Sequence, residues 1–394
     1  MIFREWPTPD SGPIIGPTTI TRHGMSACHR MSANLIRNSL IWAPEYVRQR
    51  LRNIVQTVPL ENIWVIMADH YEPLWQRPGL ETARMRVALW RSKWPAIARR
   101  CQRDSVGSPP QYTFFYPEEE YHSALVEPLA EMVRDGVADV EVHLHHDGEG
   151  RQNFIDRISN FCDVLHDRHG LLRERNGKLT FGFIHGNWAL DNSRHDGRWC
   201  GLNDEIQILH KLCCYADFTM PSGDSTQARL INTIYYCTDD PNRSKSYNSG
   251  VPLTSGGSIA GDLLMIPGPL GLRWKGRLLP RLETGELASN NLATPYRVKR
   301  WVELAPRIGA NSFIKLYTHG AQEQNSAALL SGGLELAFNL LVEEAERRGC
   351  SLYFVSAWQM YLAIDALRQC RNPVAATKLL GNGQPAINAT PLRR

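Results

Sequence analysis

From about residue 60 onward, short apolar runs alternate with segments whose apolar positions recur at helical spacing. That alternation limits the fold more than any other feature of the chain. The runs at 62–67, 111–115, 139–144, 179–184, 216–220, 262–266, 312–317 and 351–355 show little strict polar alternation, as expected of strands buried on both faces. Between them, Phe154, Ile155, Ile158, Phe161, Cys162 and Leu165 share one helical face, and Gly170 supplies a stop. Leu125, Val126, Leu129, Met132 and Val133 repeat the pattern, with Pro128 expected in the first turn of that helix. Asn203 or Asp204 is placed to cap a helix burying Ile206, Leu209 and Leu212, and two late helices cover 327–348 and 356–369. Repeated strand and helix imply a parallel sheet with helices outside it. Closure into a β/α barrel is preferred to an open nucleotide-binding sheet, because no glycine-rich phosphate loop is present.

The 394 residues are read as a single domain over 55–370. A polar, Pro- and Gly-containing stretch at 1–40 and the segment 371–394 are expected to be loose tails. The Ser-, Asn- and Gly-rich stretch 221–261 is expected to be a long rim loop, and 267–306 an insertion. A hydrophobic fraction of 43% against 21% charged residues is that of a globular protein with ample core. The formal charge of +4 comes from scattered Arg and Lys without an aromatic platform, so nucleic acid is not an expected partner. No apolar run approaches the roughly 20 residues of a bilayer span, and no secretory leader is evident at the start. Nine cysteines without a C-x-x-C pair fit a reducing, cytoplasmic setting.

Chemistry concentrates where the apolar runs end. Asp69-His70 closes the first, His143-Leu144-His145-His146-Asp147-Gly148-Glu149 the third, His185-Gly186-Asn187-Trp188 the fourth and Thr318-His319-Gly320 the seventh. In a parallel barrel these ends share one rim, where such enzymes place their chemistry. On a strand His143 and His145 point to one face and His146 to the other. Imidazoles beside carboxylates are the usual ligands of a divalent metal. Glu119, after the second run, and Asn187, Trp188 and His185 are candidates for contact with substrate, Trp188 offering a flat face to a sugar ring.

Several of these stretches resemble the polysaccharide deacetylase (NodB-homology) superfamily. Val65-Ile66-Met67-Ala68-Asp69-His70 is similar to its first motif, which ends in two aspartates, with His70 standing at the second. Val140-Glu141-Val142-His143-Leu144-His145 is similar to its histidine motif, and Glu149 falls where the second ligand histidine stands. Asp262 to Pro267 and Leu316-Tyr317-Thr318-His319 resemble later motifs. The resemblance spans roughly 60–360 and implies a distorted (β/α)7-type barrel that removes an acetyl or other acyl group from a sugar or polysaccharide precursor. It further implies Asp69 as general base, His319 as general acid, and a divalent metal, Zn²⁺ first, held by His70, His145 and either His143 or Glu149.

Two other readings stay open on the residues alone. A glycoside hydrolase needs two carboxyl groups about 5–9.5 Å apart, for which Asp69 with Glu119 or Glu149 are candidates. A carbohydrate-binding barrel without catalysis needs neither pair nor metal.

Overall fold

The computed structural model describes residues 38–52, 58–275 and 279–379. Most of the expected tail at 1–40 and the end of the expected tail at 371–394 lie outside these residues. The strands in chain order are β1 (Asn62–His70), β2 (Tyr112–Pro117), β3 (Ala138–Leu144), β4 (Arg173–Arg175), β5 (Lys178–His185), β6 (Cys214–Asp217), β7 (Tyr235–Cys237), β8 (Val251–Pro252), β9 (Leu263–Met265), β10 (Gly271–Lys275), β11 (Leu279–Glu283), β12 (Arg307–Ile308), β13 (Asn311–Thr318) and β14 (Ser351–Phe354). The helices are α1 (38–52), α2 (Leu80–Arg100), α3 (Ser123–Arg134), α4 (Arg151–His169), α5 (Glu205–Lys211), α6 (Pro295–Leu304), α7 (Glu323–Ala328), α8 (Leu334–Arg348), α9 (Ala357–Arg368) and α10 (Pro373–Leu379).

All eight apolar runs become strands of one large, mostly parallel sheet, ordered β12-β13-β1-β2-β3-β5-β6-β9-β7-β8 with β14 also on β1 and β4 on β5. The strand β1 is its hub. It pairs in parallel with β13 from Asn62 to Asp69, with β14 from Asn62 to Val65 and with β2 from Ala68 to His70. Among the described residues no pairing joins the two ends of this order, so the fold is a mixed α/β domain whose closure is not made by strand pairing.

The pleat sorts β1 into two cores. Ile63, Val65 and Met67 pack with Val87, Trp90 and Trp94 of α2 in one apolar cluster, while Trp64, Ile66 and Ala68 pack with Met360, Ala363 and Ile364 of α9 in another. Local chemistry explains the helix ends. Gly170 takes the left-handed conformation (φ 63°) that stops α4, and Ser356 and Gln359 form a reciprocal capping box at α9. One expectation fails. The helix α3 starts at Ser123, five residues before Pro128, because His122 caps it by accepting the Ala124 N–H. Pro128 lies within it and forgoes one backbone hydrogen bond. The run Glu323–Arg348 is long and apolar enough to span a bilayer by composition, yet Leu334, Ala337, Phe338 and Leu341 bury into the core beside α2.

The expected rim loop 221–261 carries β7 and β8, and the insertion 267–306 forms the β10–β11 hairpin and α6. Within the expected C-terminal tail, α10 packs on α9, with Val374 against the second core. The hairpin is fastened by Glu283, whose carboxylate accepts from Arg297 Nε (2.9 Å) and Nη2 (2.7 Å) and from Trp301 Nε1 (2.9 Å). Arg297 and Glu283 are both about 1% exposed. Removing one partner strands a buried charge, so Arg297→Ala is expected to cost about 3–5 kcal/mol, partly relieved by Arg273 beside Glu283. Urea denaturation checks this; a loss under about 1 kcal/mol would refute the fastening role.

Candidate metal centre

The end of β1 divides its two chemical residues between the two faces of the sheet. Asp69 continues the series Ile63, Val65, Met67 and faces the helix layer. His70 continues Trp64, Ile66, Ala68 and faces the opposite side. The Asp69 carboxylate is fully buried, with Oδ1 accepting the Gly320 N–H at 2.7 Å and Oδ2 accepting the Tyr112 hydroxyl at 2.8 Å. Burial pushes its pKa up to about 8, against the lowering effect of these two hydrogen bonds.

Past the strand end, Glu72 turns back to meet His143, the penultimate residue of β3, and His145 just beyond it. Their ligand atoms all lie within 4.8 Å of one another. Glu72 Oε1 is 3.5 Å from His143 Nε2 and 3.7 Å from His145 Nε2. The far nitrogens are fixed. His143 Nδ1 donates to the Ile184 carbonyl (2.8 Å), and His145 Nδ1 meets Glu119 Oε1 (2.5 Å). Each Nε2 therefore turns towards Glu72, the arrangement by which outer hydrogen bonds orient metal-binding histidines. Burial opposes ionisation of Glu72, but the neighbouring imidazoles of His143 and His145 hold its carboxyl down at about 2. Burial likewise opposes protonation of His145, but Glu119 raises it to about 9.

Around this trio stand other rings. His70 lies 4.9 Å, centre to centre, from His319, 5.4 Å from His143 and 5.5 Å from Trp188. Trp188 is 5.8 Å from His319. Burial drives both His70 and His319 below the usual imidazole pKa, so both are neutral near pH 7. The buried Nε2 atoms of His70 and His143 have no hydrogen-bond partner. Two unpaired buried nitrogens at one rim are what a site built for a further ligand leaves when that ligand is not counted.

The structure thus brings His70, His143, His145, Glu119, Trp188 and His319 together and adds Glu72. Other expected site residues go elsewhere. Glu149 does not reach the trio; its carboxylate pairs with Arg157, which also holds Glu118. His70 lies beside the trio but outside its ligand group. His185 faces the helix layer, fully buried against His146. Asn187 is half-buried next to Trp188. Sequence reasoning passed over Glu72 although it stands in the loop directly after the strand that ends in Asp69-His70. Its signal was the turn-forming Pro73 immediately after it, which lets the loop fold back. Two cavities, of about 680 and 400 Å³, border α1 and are lined by none of these residues. No protein-family model matches the chain, and no curated protein matches it.

The junction of Asp69 with Gly320 leaves no room for a side chain. A Cβ on Gly320 would stand 2.2 Å from Asp69 Oδ2 and 2.7 Å from Trp90 Cζ2. Gly320→Ala is therefore expected to cost about 1–3 kcal/mol and to disturb the rim; unchanged stability would refute the close approach. The raised pKa of Asp69 sets a pH dependence. The folded state favours the protonated acid, so its stabilisation is complete below the unfolded value of about 4 and is lost as pH rises towards 8. Asp69→Asn, which cannot ionise, is expected to gain on the wild type in melting temperature between about pH 5 and 8. Parallel curves would refute the shift.

Proposed function

We propose that this chain is a metal-dependent hydrolase that removes an acyl group, acetyl in the first instance, from a sugar or polysaccharide precursor on a distorted β/α barrel. The observation that carries the reading is the Glu72–His143–His145 trio at the strand ends, with both imidazoles oriented from behind and with unpaired buried nitrogens at its edge. Two imidazoles and a carboxylate suit Zn²⁺ with positions left for water and substrate. Bound there, a divalent ion supplies Lewis-acid polarisation of the acyl carbonyl and activation of water.

The residues around it supply the rest. His319, held neutral by burial, takes the proton from the attacking water and then gives it to the departing amine or alcohol, combining roles that the family resemblance divides between Asp69 and His319. Asp69 is left out of the proton path because both its oxygens are engaged on the helix side, where it positions the turn bearing His319. Glu72 replaces His70 and Glu149 in the ligand set. Trp188 gives the sugar ring an apolar face, and Asn187 beside it is the neighbouring polar contact. The glycosidase alternative has less support. Of its carboxylates, Asp69 is held by Tyr112 and Gly320, Glu119 by His145, and Glu149 by Arg157.

Metal analysis and an acetate-release screen on N- and O-acetylated sugars test the proposal together. His143→Ala is expected to bind one equivalent of metal fewer than the wild type and to release no acetate. His319→Gln is expected to keep the metal but lose about 10²–10⁴ in kcat. Full metal content in His143→Ala would sink the assignment. Because a metal at His145 Nε2 must displace one proton of the imidazolium that Glu119 stabilises from Nδ1, apparent zinc affinity is expected to rise by up to about tenfold per pH unit between about pH 6 and 8. A flat profile would show that His145 is not a ligand.

A further inference from the structure

A second cluster of ligating side chains lies on the other face of the same strand end. His146 follows β3, His185 ends β5, Cys200 stands in the loop between β5 and α5, and Glu205 opens α5. All four are buried, and their ligand atoms lie within 4.8 Å of one another. His146 Nε2 is 2.9 Å from His185 Nε2 and 3.2 Å from Glu205 Oε1. His185 Nε2 is 3.4 Å from Glu205 Oε1, and Cys200 Sγ is 3.3 Å from Glu205 Oε2. Tetrahedral zinc with its usual bond lengths separates its ligand atoms by about 3.3–3.7 Å, so a slight expansion accommodates the ion.

The surroundings are arranged for ligands as well. His185 Nδ1 donates to the Gly186 carbonyl at 2.6 Å, which leaves the lone pair on Nε2 facing inward. Glu205 Oε2 accepts the Asp191 N–H at 2.7 Å. Cys200 Sγ accepts the N–H groups of Asn192 (3.2 Å) and Leu202 (3.4 Å), while burial beside Glu205 pushes the thiol up, so a metal there would displace its proton. None of the described cysteines is in a disulfide, so the thiol is available.

We infer that His146, His185, Cys200 and Glu205 bind a structural Zn²⁺ that pins the loop between β5 and α5 to the ends of β3 and β5. Four protein ligands leave no open position, as in structural rather than catalytic zinc sites. The loop needs such a fastening. Asn187, Trp188, Asp191, Asn192 and Trp199 all take positive φ angles of 48–67°, which non-glycine residues adopt at a cost. The same loop delivers Trp188 to His70 and His319, so the ion holds a wall of the rim without touching it. The inference does not depend on the hydrolase reading.

Cobalt substitution of the chelator-stripped full chain tests it, because this cluster contains a thiolate and the Glu72–His143–His145 trio does not. The wild type and Glu72→Gln are expected to show a thiolate-to-cobalt charge-transfer band in the near ultraviolet. Cys200→Ser is expected to lose the band while remaining folded. Zinc is expected to raise the melting temperature of the wild type and Glu72→Gln by more than that of Cys200→Ser. Absence of the band in the wild type, or its survival in Cys200→Ser, would overturn the site and leave a hydrogen-bonded network in its place. A zinc shift in Cys200→Ser equal to that of the wild type would overturn its fastening role.

Discussion

The carboxylate of Asp69 ties three strands together. It is carried by β1, accepts the Tyr112 hydroxyl from β2 and accepts the Gly320 N–H from the turn that follows β13. None of these strands could shift along its neighbour without breaking a buried hydrogen bond, and an unmet polar group at that depth costs about 1–3 kcal/mol. Trp90 of α2 closes the junction by donating its indole N–H to the Gly320 carbonyl at 2.9 Å. His70 and His319, the residues flanking this junction, are therefore held at a fixed separation from behind. The precision of the rim comes from the helix-side face of the sheet, where Asp69 and Trp90 are fully buried.

On the rim itself, the arrangement is one of charge matched through imidazole. Glu119, His145 and Glu72 form a line in which a carboxylate stands at each side of a ring. Without a cation, one proton shared along this line partly balances two carboxylates. A divalent ion balances them better and releases that proton. The neutrality of His70 and His319 follows from burial among other rings, reinforced at His70 by the nearby Lys315, whose own pKa burial pushes down to about 7. At His70 and His319 desolvation removes a charge that would repel a metal, whereas His145 would give up its proton to one.

The strand order was only partly legible in the chain, but the strands themselves were plain. The run Ile63 to Met67 is apolar on both sides because helices cover one face and the second core the other. The long helix α2 escaped notice because Arg86 and Arg91 interrupt its apolar face, and Arg86 is buried by donating to the carbonyls of Pro73 and Trp75. At the site, His143, His145 and His319 were legible because strand ends converge whatever the loops do. Asp69 was misread as facing the rim because its neighbour His70 does, and a single step along a strand reverses the face. Cys200 and Glu205 carried no signal, since only the folded path of the loop brings them to His146 and His185.

That reversal of face is what lets one short segment serve two centres. His143 and His145 point with Glu72, whereas His146, at the next position, points with His185 into the helix layer. Insertion or deletion of one residue before His145 would exchange the faces and destroy both clusters at once. The two are also linked through the loop from Gly186 to Asp204, whose start carries Trp188 over His70 and whose end carries Cys200 to Glu205. Order in the buried cluster is thus transmitted to the rim by about a dozen residues of irregular backbone. A rim wall made of a strained loop keeps its place only if its far end is anchored, and the buried, mutually contacting side chains of His146, His185, Cys200 and Glu205 stand at that end.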